Sequence, residues 1–385
     1  MRHEMFSKRY RVNSFTRLYN ASIELVKPLY QLLFSASQAL GSRKSASVSL
    51  INSNTRKNYG MVRWGFIGCG VVTEKKSGPA FAKVEGSEVV AVMRRDGELA
   101  KDYADRHAIG KWYTNAQKLI DDPDVNAIYV ATPPSTHAKY AIAAMRAGKP
   151  VYVEKPMAAS YEECQEMMRV SEETGVPCFV AYYRRTLPYF NRVKQLIDDG
   201  KLGDISTVQI RFAIPPYATD YSRDTLPWRV KKELAGAGYF YDLASHQFDL
   251  LDYLFGPIVD AKGHTTNVAG LYDVEDTVSA TFQFESGIVG SGSWSFVAPP
   301  DTRTDTIEVV GTKGKLSFST FMFTDIKEIT THYEVVYQEE NPENIQFNLI
   351  QSIVQYLKGK KDTVASTCVS AARTNWVMDK ILRGL

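Results

Sequence analysis

Cysteine is scarce in this chain. Its 385 residues include four cysteines, with no Cys-x-x-Cys pair and no histidine close by: Cys69, Cys164, Cys178 and Cys368. This pattern indicates free thiols rather than a disulfide framework, and it argues against a zinc site, so we expect no metal. Free thiols are typical of a reducing compartment, and we expect a cytoplasmic protein.

Long apolar runs are also missing. No uninterrupted apolar stretch approaches the roughly 18 residues that a membrane span needs. We therefore expect no membrane partner. With 44% hydrophobic and 23% charged residues, the composition is that of a globular protein long enough for two domains with sizeable cores.

Acidic residues are nearly absent from the first sixty positions, which hold ten Lys and Arg against only Glu4 and Glu24. Residues 61–385 therefore carry 36 basic and 41 acidic side chains, a net charge of about −5 that argues against nucleic acid as a partner. Three interpretations of residues 1–60 stay open. They are an untranslated leader ahead of Met61, an organellar transit peptide, or a disordered arm that contacts a neighbouring subunit.

From Met61 onward, apolar strands alternate with helical patterns. The apolar runs lie at 62–67, 87–93, 127–131, 150–153 and 178–182. The helical stretches between them lie near 97–107, 135–147 and 160–175. This alternation predicts an α/β fold whose N-terminal Rossmann domain, residues 61–183, contains a doubly wound parallel sheet.

The rhythm changes after residue 185. A helix at Leu187–Asp199 precedes strand-like runs at 204–214, 257–266, 275–284, 287–297, 304–310 and 313–318, and two last helices lie near 344–358 and 366–383. The pattern predicts a C-terminal α+β domain, residues 184–385, with an open, mostly antiparallel sheet. Because its open face could be buried between subunits, we expect a homodimer or homotetramer formed through this sheet.

A glycine turn follows the first strand, at Gly68-x-Gly70-x-x-Thr73. The first glycine permits a tight turn and the second lets backbone approach a pyrophosphate at a helix N-terminus. The turn predicts dinucleotide binding through Gly68, Gly70, Val71 and Val72. Thr73 replaces the third glycine of the usual pattern, so the helix must pack with a β-branched residue there.

The second strand ends in Arg94-Arg95-Asp96. An acidic residue at this tip would bind the ribose hydroxyls of NAD, whereas an arginine can pair with the 2′-phosphate of NADP. We therefore expect NADP to be preferred, with NAD possible. The alternative is that both arginines are solvated and that Asp96 binds the ribose.

Two further turns lie where the crevice of a doubly wound sheet is expected. Thr132, Pro133 and Pro134 force an extended turn whose backbone should contact the nicotinamide ribose, and His137 after it is expected to be structural or on the cofactor side. Glu154-Lys155-Pro156 ends a later strand, which predicts an ammonium group beside the nicotinamide.

The second half contains Asp242, His246 and Asp249 at helical spacing, after a Gly-Ala-Gly segment. Residues at i, i+4 and i+7 share one helix face. A carboxylate one turn from an imidazole can set its tautomer and raise its basicity, which suits general acid–base catalysis. Taken alone, such a pair is more often a plain surface pair.

Together these residues resemble the glucose–fructose oxidoreductase, inositol dehydrogenase and rhizopine-catabolism family, known as Gfo/Idh/MocA. The resemblance spans residues 61–385 and rests on Gly68-x-Gly70, Thr132-Pro133-Pro134, Glu154-Lys155-Pro156, Trp228-Arg229 and Asp242-x-x-x-His246. It implies that Lys155 and His246 are catalytic, that Asp242 and Asp249 lie near the substrate, that Glu154 is on the cofactor side, and that the Lys155–Pro156 bond is cis. Thr73 and the Arg94-Arg95 pair resemble the NADP-using branch.

The expected reaction is reversible hydride transfer between nicotinamide and a hydroxyl- or carbonyl-bearing carbon of a sugar, polyol or related molecule. His246, oriented by Asp242, would exchange the hydroxyl proton, and Lys155 would bind the same oxygen. Candidates for the pocket wall are Tyr182, Arg185, Trp228 and Arg229, although Trp228 could equally be a core residue. Two alternatives are a glycoside hydrolase of this fold that retains NAD and a nucleotide-binding sensor without turnover.

Overall fold

A six-stranded parallel sheet forms the first part of the computed structural model, which describes residues 58–384. Its strands are β1 (Val62–Ile67), β2 (Ser87–Met93), β3 (Lys111–Tyr113), β4 (Ala127–Val130), β5 (Val151–Val153) and β6 (Cys178–Val180). They lie in the order β3-β2-β1-β4-β5-β6, and all neighbours are parallel. This confirms the doubly wound sheet. The interpretations of the N-terminal extension concern residues that, up to position 57, lie outside the described part.

Helices follow most strands of this sheet. They are α1 (Val71–Lys75), α2 (Gly78–Lys83), α3 (Gly97–Arg106), α4 (Ala116–Asp121), α5 (His137–Arg146) and α6 (Tyr161–Thr174). Strands β4 and β5 are fully buried, as their continuous apolar runs predict for strands covered on both faces. The strand order reverses between β1 and β4, so a crevice is expected at their carboxyl ends.

The helix expected after the glycine turn is divided in two. Helix α1 stops at Lys75, and α2 begins at Gly78 after a short break. A Cβ atom on Gly78 would lie 2.0 Å from the Thr73 carbonyl oxygen, so only glycine permits this close contact between α1 and α2. Thr73 itself is buried, and its Oγ1 donates to the Gly70 carbonyl at 2.9 Å. The β-branched residue is thus accommodated inside the turn.

The second sheet has eight strands. They are β7 (Ile205–Ala213), β8 (Ile258–Thr266), β9 (Thr277–Phe284), β10 (Val289–Ser295), β11 (Thr304–Gly311), β12 (Gly314–Phe318), β13 (Ile326–Thr330) and β14 (Glu334–Tyr337). The order is β14-β13-β12-β11-β7-β10-β9-β8, and every pair is antiparallel except β7 with β10. The predicted mostly antiparallel sheet is confirmed.

Three short strands, β3, β13 and β14, were not predicted from the sequence pattern. Strand β3 has three residues and no apolar run, and β13 carries a charged residue at an inward position. That residue, Glu328, is buried and accepts hydrogen bonds from the hydroxyls of Tyr333 (2.8 Å) and Tyr337 (2.6 Å) in and beside β14. A buried carboxylate at an inward position interrupts the alternation of apolar and polar residues by which a strand is predicted from sequence.

Five more helices pack around the second sheet or return to the first. They are α7 (Pro188–Asp198), α8 (Lys232–Ala235), α9 (Tyr239–Phe255), α10 (Phe347–Leu357) and α11 (Cys368–Arg383). Helix α9 is buried on nearly all sides and is tied to the sheet by the Trp294 indole, which donates to Gln247 Oε1 at 2.6 Å. Helix α10 packs on α2, and α11 packs on α6 and α9, so the two last helices join both sheets into one body.

Glycines bring α9 against the parallel sheet. Gly236 has a positive φ of 85°, and a Cβ atom there would lie 2.3 Å from the Ala159 carbonyl oxygen. Because that carbonyl belongs to the segment after β5, the N-terminal end of α9 lies close to the carboxyl end of β5. The glycine at position 236 therefore permits a close approach of two backbone segments.

Candidate active site

Lys155 directly follows Glu154 at the carboxyl end of β5, and its peptide bond to Pro156 is cis, as the resemblance implies. Its Nζ donates to Asp242 Oδ1 at 2.7 Å and to the Asp242 backbone oxygen at 3.0 Å. The side chain is 15% exposed, so the ammonium group lies at the crevice and can still reach a ligand. The structure therefore brings the turn at Glu154-Lys155-Pro156, called the lysine turn below, together with helix α9.

The carboxylate of Asp242 is shared between two cations. Arg229 Nε donates to Oδ2 at 2.9 Å, while Lys155 occupies Oδ1. Burial opposes ionisation of this carboxyl, but the charges of Lys155 and Arg229 outweigh that effect and hold its pKa below the usual range. Asp242 is thus an anion that fixes two cationic side chains.

The expected orientation of His246 by Asp242 needs correction. Both oxygens of Asp242 are taken by cations, and His246 Nδ1 is buried without a hydrogen-bond partner among the described residues. The two residues share a helix face, as the spacing predicts, but carboxylates pair with nearby cations in preference to a neutral ring. The aspartate acts on Lys155 instead.

His246 is enclosed by aromatic rings. The ring centroids of Tyr182, Tyr183 and Phe321 lie 6.1, 5.6 and 5.8 Å from that of the imidazole, all in edge-to-face arrangements. Burial lowers its pKa well below the usual histidine value, and the positive charges of Arg184, Lys155 and Lys76 act in the same direction. The imidazole is therefore neutral at pH 7, the form that accepts a proton.

Arg185 and Asp249 are hydrogen-bonded to each other, and contact of either residue with the substrate stays a prediction. Arg185 donates from Nε and Nη2 to both carboxylate oxygens of Asp249 at 2.8–3.1 Å, and Nη2 reaches Asp252 Oδ1 at 3.0 Å. Asp252 in turn accepts from Arg373 at 2.6 and 2.7 Å. Burial raises the pKa of Asp249 to about 6 although Arg185 opposes the shift. This buried network joins α9 and α11 to the turn after β6. Its guanidinium and carboxylate groups are hydrogen-bonded to one another.

The glycine turn has the shape that a dinucleotide requires. Gly68 has φ of 94°, and a Cβ atom there would collide with Ala131 and Thr132 at 2.8–2.9 Å. Gly70, in contrast, faces open space, with nothing within 4 Å of a Cβ position. Val71 is 74% exposed beside it and Val72 is half-buried. The open backbone at Gly70 and the start of α1 fit a pyrophosphate.

The tip of β2 is basic. Arg94 Nη1 donates to the Cys69 carbonyl at 3.2 Å, which places its guanidinium against the glycine turn, and Arg95 is exposed beside it. Asp96 is the N-cap of α3, where Oδ1 accepts from the Leu99 amide at 3.1 Å. The acidic residue is used in capping, and the arginine lies toward the cofactor turn.

His137 links the two turns of the parallel sheet that border the crevice. Its Nε2 lies 2.7 Å from the Thr132 carbonyl oxygen and its Nδ1 lies 3.0 Å from the Pro156 carbonyl oxygen. The side chain is buried, and burial lowers its pKa. His137 therefore supports the Thr132-Pro133-Pro134 turn and the lysine turn together. Direct contact of Pro133 and Pro134 with a cofactor stays a prediction.

Glu154 is buried in a hydrogen-bonded network of its own. Its Oε1 accepts from the Tyr129 hydroxyl at 2.6 Å and from Gln346 Nε2 at 2.7 Å, and its Oε2 accepts from the Lys155 amide at 3.2 Å. Gln346 precedes α10, so this carboxylate joins the lysine turn to the end of the chain. The geometry gives Glu154 a positioning role; contact with the cofactor stays a prediction.

The remaining pocket candidates lie on both sides of α9. Tyr182 is fully buried beside His246, and burial raises the pKa of its hydroxyl. Trp228 is half-buried and stacks under the Arg229 guanidinium at 4.6 Å, so it is not a core residue. Two residues near His246 were not predicted from the sequence. Arg184 directly precedes the candidate Arg185 and was not distinguished from it, and no local pattern connects Phe321 to α9.

Within residues 58–384, no group of three or more His, Cys, Asp or Glu side chains is arranged to hold a metal ion. All four cysteines are free and buried. No helix in that same part of the chain combines the length and the apolar character needed to cross a membrane.

Comparison with known proteins gives consistent matches for both sheets. A family model described as "Oxidoreductase family, NAD-binding Rossmann fold" matches residues 62–182, and one described as "GFO/IDH/MocA C-terminal domain" matches residues 190–317. Oxidoreductase P35 of Formosa agariphila is 36% identical over 318 residues, which cover 83% of this chain and 97% of that protein. The 1,5-anhydro-D-fructose reductase of Ensifer adhaerens is 30% identical over 260 residues, covering 66% of this chain and 75% of the reductase.

The fold is also that of a solved levoglucosan dehydrogenase in complex with NADH and levoglucosan. The TM-score is 0.74 at 24% sequence identity, over 83% of this chain and 96% of the other. The two family models together cover more than half of the chain and follow the order of its two sheets. The glycine turn, Lys155 and His246 thus stand in a chain that belongs to the GFO/IDH/MocA family of NAD(P)-dependent oxidoreductases.

Proposed function

We propose that this oxidoreductase transfers hydride between NADP and a hydroxyl-bearing carbon of a sugar or polyol, with Lys155 and His246 as its catalytic residues. The observation that carries the proposal is the meeting of two groups at one crevice. Lys155, at the carboxyl end of β5, is held by Asp242 of helix α9. A neutral His246 lies one turn further along α9. Relatives named 1,5-anhydro-D-fructose reductase and levoglucosan dehydrogenase support the substrate class.

The proposed mechanism divides the work between the two residues. When bound, the nicotinamide supplies the site that accepts or donates hydride. His246, kept neutral by burial and nearby cations, accepts the hydroxyl proton during oxidation of the alcohol. Lys155 Nζ donates a hydrogen bond to the same oxygen, which stabilises the negative charge that develops there. Asp242, which is itself bound by Arg229, holds that ammonium group in place.

A direct assay tests the proposed reaction. The full-length protein is incubated with NADP or NAD and a panel of sugars and polyols, and in the reverse direction with NADPH or NADH and the matching ketoses. We expect nicotinamide reduction with members of the first panel and oxidation with members of the second. No change in nicotinamide absorbance with any compound, in either direction, would contradict the proposal.

The preference for NADP rests on the tip of β2. Arg94 lies against the glycine turn through its bond to the Cys69 carbonyl, and Asp96 is engaged at the N-terminus of α3. A guanidinium at this place can pair with a 2′-phosphate, whereas the one acidic residue of the tip, Asp96, caps α3 through its Oδ1.

Replacing Arg94 with glutamine is expected to abolish the preference for NADPH. A hydrogen bond between charged groups contributes about 1.5–3 kcal/mol, so the wild type should bind NADPH about 10- to 100-fold more tightly than NADH. Nicotinamide fluorescence titrations of both cofactors measure this ratio. Arg63→Gln is the matched control, because Arg63 lies at the opposite end of the sheet on β1 and bonds to the Asp124 carbonyl. Equal or tighter binding of NADH by the wild type would contradict the assignment.

We further propose that two or four copies associate through the outer face of the eight-stranded sheet. On β9, the inward side chains are buried and the outward ones, Ser279, Thr281 and Gln283, are exposed. Ser291 of β10 and Gln209 of β7 continue this small polar surface in register. A flat face of this kind suits the self-complementary contact of a symmetric dimer.

Thr281→Arg should therefore shift the protein toward the monomer, because a bulky charge at the centre of such a face cannot be buried twice around a symmetry axis. Light scattering after size-exclusion chromatography gives the mass directly. A wild-type monomer, or an oligomer unaffected by Thr281→Arg, would count against the interface.

A cytoplasmic location is a separate proposal, supported by the four free thiols.

A further inference from the structure

Arg184 is a buried cation that has no counter-ion among residues 58–384. Its side chain is 3% exposed, and its Nε donates to the Thr320 carbonyl at 3.0 Å. The guanidinium carbon lies 4.6 Å from the ring centre of Phe321 and 5.1 Å from that of Tyr183. Its Nη1 is enclosed without a hydrogen-bond partner, and no carboxylate in the described part of the chain lies within ion-pair distance of it.

The neighbouring cations of the site each have the carboxylate partner that Arg184 lacks among the described residues. Arg185 is fully paired with Asp249 and Asp252, and Lys155 is paired with Asp242. A buried charge without a partner is costly, and proteins normally supply one. Among the described residues, Arg184 contacts one carbonyl and two aromatic faces, which are weak substitutes for an anion. Its guanidinium thus has unused capacity for a strong acceptor.

This unused capacity lies beside the proposed catalytic histidine. Tyr183 and Phe321 each contact both Arg184 and His246, with ring centroids 5.6 and 5.8 Å from the imidazole. Two further buried polar atoms of the same shell also lack partners among the described residues: His246 Nδ1 and Thr320 Oγ1. Buried polar groups are almost always satisfied, so a cluster of unsatisfied ones points to a ligand that completes them.

The position of Arg184 is fixed by the loop after β12. The backbone amides of Thr320, Phe321 and Met322 donate to the Asp305 carboxylate at 3.0, 2.6 and 3.0 Å. Asp305 is consumed by these amides and is not a counter-ion of Arg184. The loop holds the Thr320 carbonyl that accepts from Arg184 and the Phe321 ring beneath it, so the guanidinium is preorganised rather than free to reach solvent.

We propose that Arg184 binds an anionic group of the substrate, and that this enzyme acts on an acidic sugar. The inference rests on the proposed hydride transfer and narrows its substrate class. A carboxylate matches the planar guanidinium, as in a sugar whose terminal carbon is a carboxyl group, and a sugar phosphate presents the same kind of acceptor. The carboxylate is the better match, because the aromatic enclosure suits a small planar group.

Matched pairs of sugars test this inference without altering the protein. Each hexuronate differs from its parent hexose only in a carboxylate that replaces the terminal hydroxymethyl group. The probes are D-glucuronate, D-galacturonate, D-mannuronate and L-guluronate with their four parent hexoses, together with the hexose 6-phosphates. We expect kcat/KM for at least one uronate to exceed that of its parent hexose by about 10- to 100-fold, the contribution of one charge-assisted hydrogen bond.

Arg184→Gln separates charge recognition from chemistry. In this variant the ratio of kcat/KM on the acid to kcat/KM on the neutral hexose should fall by about the same factor, whereas Arg184→Lys should keep part of that ratio. Arg192→Gln is the control, because Arg192 lies on α7 and is already paired with Glu339. Thermal unfolding and NADPH titration check that the variants are folded and bind cofactor.

The outcomes are distinguishable. Equal kcat/KM for acid and neutral sugar in the wild type, or an equal loss on both in Arg184→Gln, overturns the acidic substrate and leaves hydride transfer standing. A preference for 6-phosphates alone, lost in Arg184→Gln, supports the anion site and assigns it to phosphate. Turnover of none of the sugars overturns the proposed function and this inference with it.

Discussion

Lys155→Met is expected to lower kcat/KM by about 10³-fold or more while leaving the dissociation constant for NADPH within a few-fold of wild type. A positioned donor to a developing oxyanion accounts for about 10²–10³ in rate, and loss of the local positive charge adds to this. A 10³-fold loss corresponds to about 4 kcal/mol of transition-state stabilisation. The glycine turn and Arg94, which are expected to bind the cofactor, are not altered by this substitution. Steady-state kinetics and cofactor titration measure the two quantities.

The same strand offers a matched control. Lys149 lies just before β5, at its opposite end, and donates to the Asp122 carbonyl at 2.7 Å. Lys149→Met removes an ammonium group from the same strand without touching the crevice, so its turnover should stay close to wild type. Asp242 keeps a cationic partner in Arg229 when Lys155 is replaced, so the fold is expected to persist. Turnover near wild type in Lys155→Met would remove Lys155 from the mechanism.

His246→Asn is expected to reduce kcat/KM for alcohol oxidation by about 10²–10⁴-fold, the usual contribution of a general base. Burial, Arg184, Lys155 and Lys76 lower the pKa of this imidazole, and a base is active above its pKa. The wild-type rate should therefore stay level from about pH 8 down to about pH 6.5, the ordinary histidine value, and fall only at more acidic pH. Measurement of kcat/KM against pH should show this acidic limb in the wild type and its loss in His246→Asn.

Asp242→Asn distinguishes the observed contacts from the pairing that the spacing suggests. Because Asp242 contacts Lys155 and Arg229 rather than the imidazole, this variant should lower turnover and leave the acidic limb of the pH profile in place. A shift of that limb would show that the carboxylate acts on His246. His264, exposed on β8, provides the control: His264→Asn should change neither the rate nor the profile.

Local pattern was sufficient for most of the fold. The strands that later pair as β1, β2, β4, β5 and β6 are apolar runs, and the glycines of the first turn have the backbone conformation or the open surroundings that the motif requires. The apolar runs and the positions of the glycines are local features of the sequence, so they can be read from a single chain. The strands that were missed, β3, β13 and β14, are those whose stability comes from paired polar groups or from a sheet already formed.

The candidate site shows the opposite dependence. The sequence by itself determined which residues reach the crevice, because Lys155 ends a strand and His246 follows a glycine-rich segment at the start of a helix. Only the tertiary structure decided their partners. Arg184 and Arg185 are adjacent and chemically identical. Arg185 is paired with Asp249, whereas Arg184 lies against Phe321 and has no counter-ion in the part of the chain that the structure describes. Ion pairing and burial depend on groups brought together from distant parts of the chain, and no spacing within the sequence encodes that choice.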